Sequence, residues 1–276
     1  MRPLIALFIL SLVSPVAFAD DGKCEHSAAR DLKLDIGDAR AVVFEIGPHD
    51  LRLTASPNAT GRLQGRACAS DPKVLEDLVV TQERVGDKLV VRAGHKERNV
   101  INLFGSYYAS LELEGTVPDN VMVQLKVGSG DAWVTGASAL SVDTGSGDVE
   151  AKRIRGAVTA KVNSGDVVLD DIGSLRVLSV GSGDMSAGRV RGAVEVGSIG
   201  SGDFELDGAQ GGVEIGSIGS GDASVSDIGG DVRVGSIGSG DFNARDVRGG
   251  LTVRSVGSGS VEHSGVDGRV DVPKQD

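Results

Sequence analysis

Seven aspartates recur at intervals of 17 to 19 residues along this 276-residue chain, each closing a Gly/Ser-rich turn: Asp131, Asp148, Asp166, Asp184, Asp203, Asp222 and Asp241, with Ser260 in the eighth place. Carboxylates in such a series can do three kinds of chemistry. A pair about 5–5.5 Å apart can serve as the acid and nucleophile of a retaining glycosidase. A group of them can hold calcium, a hard cation that takes oxygen ligands. Each can instead accept backbone N–H bonds of its own turn and otherwise face water. The first use is rejected, because no position singles out one pair from its copies and every turn is too short to build a cleft. Calcium remains an alternative as a weak cation site, although the G-x-D spacing of calcium-binding nonapeptide repeats is not matched by G-S-G-D. At a strand spacing of about 4.8 Å, neighbouring carboxylates repel by roughly 1 kcal/mol in water and roughly 3–4 at an effective dielectric of 20. A structural ladder therefore needs compensating hydrogen bonds, and the turn supplies them.

The remaining reactive residue types form no catalytic set. His26, His49, His95 and His263 are scattered without ligand spacing and read as solvated or locally bonded side chains. The G-S-G runs lack the lysine and the following helix that a phosphate loop needs, so nucleotide binding is rejected. Cys24 and Cys68 are an even pair without a C-x-x-C setting, expected to bridge in an oxidising compartment, with two free buried thiols as the alternative. Phe104, Tyr107 and Tyr108 gather three of the nine aromatic side chains within five residues. They read as a seal for the end of the fold, or else as a partner or glycan patch. No metal, no cofactor and no enzymatic activity are expected.

The elements that must position the ladder follow from an internal repeat. Residues 194–212, 213–231 and 232–250 (VEVGSIGSGDFELDGAQGG, VEIGSIGSGDASVSDIGGD, VRVGSIGSGDFNARDVRGG) align without gaps, and eight such units of 17–19 residues fill 121–269. Each unit is a near-duplicate of apolar-x-apolar-x-x-apolar followed by a turn. The alternation marks strands, and glycine every few residues excludes helix. Two strands per unit cannot bury an apolar face alone, but stacked copies can. The chain is expected to be all-β, a single-chain parallel β-solenoid of about eight coils, with glycines at its turns taking positive φ. Small residues such as Ala157, Gly208 and Ala223 are expected to fill a thin core. In-register stacking places Asp171 between the arginines of neighbouring coils, Arg153/Arg155 and Arg189/Arg191.

Outside the repeats, residues 20–120 hold extended pieces (41–46, 50–55, 88–93, 110–114) and a short helix at 71–78, read as an irregular β-rich cap on the first coil. Residues 121–272 are the solenoid and 273–276 a tail. Residues 1–19 combine Arg2, a short apolar run and Ala17-Phe18-Ala19, the parts of a secretory signal peptide. Cleavage would leave a chain of net charge −12, since the full chain carries −11 and these residues hold one arginine and no acid. That field repels nucleic acid. No later segment is apolar enough to span a membrane, so export to the periplasm or cell surface is expected.

Val117-Pro118-Asp119-Asn120-Val121 followed by repeated G-S-G-D turns resembles the bacterial "putative adhesin" family of β-strand repeats, also grouped with toastrack-like envelope domains. The resemblance covers about 110–272 well and 31–109 loosely. It implies an exported, non-enzymatic module of the cell envelope, structural or adhesin-like, with an unidentified envelope protein or glycan as partner. The alternative is an envelope-stress sensor or regulator that binds cationic peptides or a membrane partner, motivated by the acidic charge.

Overall fold

A computed structural model describes residues 24–96 and 108–274. The signal-like residues 1–19, Phe104 and Tyr107 lie outside the described residues. In chain order, β1 (His26–Lys33), β2 (Ala41–Gly47), β3 (Asp50–Ser56), β4 (Arg62–Ala69), α1 (Pro72–Asp77), β5 (Leu78–Val85), β6 (Lys88–His95) and β7 (Ala109–Pro118) precede the repeats. The repeats supply β8 (Met122–Val127), β9 (Ala132–Thr135), β10 (Leu140–Thr144), β11 (Val149–Val162), β12 (Val167–Val180), β13 (Met185–Val190), β14 (Val194–Ile199), β15 (Phe204–Ala209) and β16 (Val213–Ile218). They continue with β17 (Ala223–Ile228), β18 (Val232–Ile237), β19 (Phe242–Val247), β20 (Leu251–Val256), β21 (Val261–Val266) and β22 (Val270–Asp271).

Each repeat lays one strand on either face of a flattened β-solenoid of about eight turns. On the first face β14, β16, β18 and β20 pair in parallel, and on the second β13, β15, β17, β19 and β21 do the same. Inward positions follow the 1-3-6 spacing of the sequence pattern: Val194, Val196 and Ile199 on one face and Phe204, Leu206 and Ala209 on the other are all buried. Full burial of each larger side chain contributes roughly 1.5–3 kcal/mol. Bulk alternates between coils, since buried Ala223 lies in register between Phe204 and Phe242. Ala157 is exposed and Gly208 is half-buried, so neither fills the core; they occupy a corner and a kink at the surface.

The kink explains the two outward residues between the second and third inward positions. Arg153, Asp171, Arg189, Asp227 and Asp246 have φ between 51° and 55°, and Gly136, Gly208 and Gly265 hold the equivalent place with φ of 83°, 85° and 63°. One left-handed residue per coil turns the next side chain inward. The G-S-G-D glycines behave otherwise than expected. Gly221 does not have positive φ; a Cβ there would lie 1.9 Å from the carbonyl oxygen of Gly202 in the preceding coil. Close stacking of turn on turn, not φ, excludes a side chain.

Parallel pairing continues N-terminal to Val121. β2 pairs with β8 and β3 with β9, although β4 to β7 lie between them in sequence. Beyond β2 lies β6, then antiparallel β5; beyond β3 lies β7, then antiparallel β4 and β1. The end is tied together by polar groups. Arg30 donates to the carbonyls of Leu78 and Leu75 at 2.8 and 2.7 Å, and Gln82 donates to that of Lys33 at 3.0 Å. The single described helix starts at Asp71, whose carboxylate accepts the N–H of Lys73 at 2.7 Å, with Pro72 at the first position. Among the described residues no helix is long and apolar enough to cross a membrane.

Candidate functional site

The aspartate column forms because each turn repeats in register. Its hydrogen bonds run between coils and not within a turn: the carboxylates of Asp131, Asp148, Asp166, Asp184, Asp203 and Asp222 accept the N–H of the next aspartate at 2.7–3.0 Å. The turn's own N–H groups are already occupied by carbonyls of the preceding coil, as Gly221 N–H is by Gly200. The column ends at Ser260, whose N–H and hydroxyl both donate to Asp241 at 2.8 Å.

It also starts one coil earlier than the seven repeats indicate. Asp50 accepts the N–H of Asp131 at 3.0 Å. Its tetrapeptide Gly47-Pro48-His49-Asp50 takes the place of G-S-G-D, and the following Leu51-Arg52-Leu53 matches Ala132-Trp133-Val134 in register. That similarity is the signal by which sequence reasoning could have found Asp50. His49, at the third turn position, is buried; its Nδ1 accepts the Leu111 N–H at 3.2 Å and Nε2 has no partner. Burial, with a smaller effect of nearby His95, pushes its pKa down to about 4, so the ring is neutral.

On the kink side of the stack, Arg191 pairs with Asp171 and also reaches back to the carbonyl of Ile154 at 2.9 Å. Arg189 pairs with Asp170, and Arg155 turns to Asp119 at 2.8 Å. Asp171 is thus held by the arginine of the following coil. Across the first face, Glu45 accepts from Lys126 at 2.8 Å and Arg92 at 2.9 Å, and the Lys126 bond leads the effects that lower its pKa.

Cys24 and Cys68 form a disulfide. Cys68 shares the outer face of β4 with Arg66 and Gln64, so the bridge straps the start of the described chain across that face. Tyr108 is 39% exposed and exchanges backbone and hydroxyl bonds with Ser70. Beside the strap lies a groove of about 750 Å³ on the outer face of β3, β7, β4 and β1, walled by Asp50, Arg52, Gln64, Arg66, Glu112 and Glu114. Sequence reasoning missed it, because its walls come from strands far apart in the chain. At its β9 side the Arg52 guanidinium stacks over the indole of Trp133, 4.0 Å from the ring centroid.

A family model described as Toastrack DUF4097 matches residues 41–273. Among solved structures, a "putative adhesin" from Parabacteroides distasonis superposes with a TM-score of 0.55 at 14% identity, over 87% of this chain and 97% of that one. A "putative lipid binding protein" from the same organism gives 0.53 at 18% identity, over 87% and 97%. At these identities the likeness is one of fold. No curated protein matches the sequence.

Proposed function

Because the chain belongs to the Toastrack DUF4097 family, we propose that it is an exported, non-catalytic binding module of the bacterial envelope, an adhesin-like rod that presents its cap to an envelope protein or glycan. The observation that carries this reading is the use of the aspartate column. Six equivalent carboxylates are committed to the next coil's aspartate N–H groups, which makes them struts and leaves no one pair distinguished for chemistry. Stacked coils with such struts resist bending. Export is supported by the signal-like residues 1–19 and by a disulfide, which persists in oxidising compartments. The names given to the two similar folds point to binding proteins as well.

The test has two parts. Full-length chain made in a bacterial host should be recovered outside the cytoplasm with Asp20 as its first residue; recovery of uncleaved cytoplasmic protein would refute export. Purified protein should co-sediment with washed bacterial envelopes, and protein that stays in the supernatant would refute the binding role.

A further inference from the structure

The outer face of the cap carries opposite charges that do not pair. Arg52 lies in register beside Glu114, and Arg66 directly opposite Glu112. Directly opposed residues share a face and meet readily when their charges are complementary. Elsewhere in the cap such charges close on one another, as Arg92 does on Glu45 and Glu83, and Arg62 on Asp31. Here the Arg52 guanidinium turns away to stack on Trp133. Arg66 points a nitrogen at Cys24 Sγ, 3.1 Å away, and its Nε is buried with no partner. Glu112, Glu114 and Gln64 make no side-chain hydrogen bond or ion pair among the described residues. The register therefore sets out, on one side of the sheet, a row of Trp133, Arg52, Glu114 and Gln64, and beside it a row of Asp50, Glu112 and Arg66.

We propose that this groove is a saccharide-binding site, taking two or three sugar units of a neutral or N-acetylated glycan. The inference rests on the binding-module reading and supplies its site and ligand class. The volume of about 750 Å³ lies within the range of small-ligand sites. Planar carboxylates, an amide and guanidinium forks offer paired acceptors and donors, which match the vicinal hydroxyls of a sugar ring. The Trp133 indole beneath Arg52 holds that guanidinium fork in place at the rim of the groove. Three carboxylates against two guanidinium groups leave the groove close to neutral, which disfavours an anionic ligand. Gly65 closes the floor of the groove: β4 approaches β7 so closely there that a Cβ would lie 2.0 Å from the Glu112 carbonyl oxygen.

Trp133 is the only tryptophan of the chain and lies under Arg52 at the edge of the groove, so its emission reports on displacement of that guanidinium. The disulfide-bonded protein is titrated with cellotriose, maltotriose, mannotriose and chitotriose, and with tetralysine as the basic-peptide arm. At least one trisaccharide should shift the emission saturably. Affinity should fall tenfold or more in Glu114→Gln and in Arg52→Gln, two surface changes whose melting temperatures should match the parent. For Trp133→Ala the same loss is read by calorimetry. No saturable response to any trisaccharide, a response unchanged in both variants, or a response to tetralysine alone would overturn the proposal. Envelope retention that Glu114→Gln and Arg52→Gln leave intact would overturn the groove while the binding-module reading stands. A saturating trisaccharide titration without envelope retention would support the groove and sink the envelope role.

Discussion

The Asp222 carboxylate accepts the backbone N–H of Asp241 at 2.7 Å, so a side chain of one coil completes the turn of the next. The bond holds a carboxylate beside a positively polarised N–H and offsets the repulsion between successive aspartates. It also favours one register, since each carboxylate meets a backbone N–H at the same height of the next coil.

Replacing Asp222 separates acceptor from charge. Asn keeps a side-chain oxygen for the Asp241 N–H and removes like charge beside Asp203 and Asp241, so Asp222→Asn should melt within a degree or two of the parent. Asp222→Ala loses the bond and should cost about 1 kcal/mol. Calorimetric melts with and without a calcium chelator check both. A chelator-sensitive parent would mean that the column holds metal instead.

Gly221 and Gly86 contrast two reasons for glycine. A Cβ at Gly221 would strike the Gly202 carbonyl at 1.9 Å, whereas Gly86 has φ of 61° with open space around it. Gly86→Ala should cost about 1–2 kcal/mol, the ordinary left-handed penalty. Gly221→Ala should cost several times more, because backbone of two coils must separate. Urea unfolding of the two variants measures the difference, and equal losses would contradict the steric account.

Removing the disulfide should loosen the cap before the rod. The bridge spans 44 residues, for which the loop-entropy model gives roughly 4 kcal/mol. Cys68→Ser should lower the melting temperature and raise amide exchange in β1 and β4, with β14 to β19 unchanged. Uniform loss of protection along the whole solenoid would show that cap and rod unfold as one.

Acidification should act through His49. Its folded pKa of about 4 lies below the ordinary 6.5, so the unfolded state binds more protons between these values. The associated stability is fully present above pH 6.5 and is lost as the pH falls towards 4, by about 3 kcal/mol. Glu45, whose pKa is lowered from 4.5, adds a separate loss only below that value. Denaturation of the parent and of His49→Gln across this window checks the assignment, since the variant should show a flatter profile above pH 4.5.

The solenoid was legible because its information is local and repeated. The apolar-x-apolar-x-x-apolar pattern specifies two strands and a kink within one unit, and neighbouring copies specify register. The cap was not legible to the same degree. β2 and β3 belong to the stack, but β4 to β7 intervene in sequence before β8 and β9 cover them, and Gly47-Pro48-His49-Asp50 disguises the turn. The partner of each aspartate was misassigned for a related reason. An isolated turn offers its own N–H groups, and only the stacked structure reveals that the preceding coil has taken them. The groove depends on Arg52, Arg66 and Glu114, brought together by antiparallel and parallel pairings that no periodicity announces.

Ser260 gives the column an end, as Asp50 gives it a beginning, and between them every coil offers its successor what it accepts from its predecessor. The three gapless units 194–212, 213–231 and 232–250 therefore share one register, while their core fillers alternate, Ala223 lying between Phe204 and Phe242. An in-frame duplication or deletion of nineteen codons would preserve both termini of the column and change the reach of the cap by one strand spacing, about 4.8 Å. Length is in this sense a heritable dial. Each step would keep the column's register and ask only that bulk be rebalanced between neighbouring coils, since loss of 213–231 would set Phe204 against Phe242.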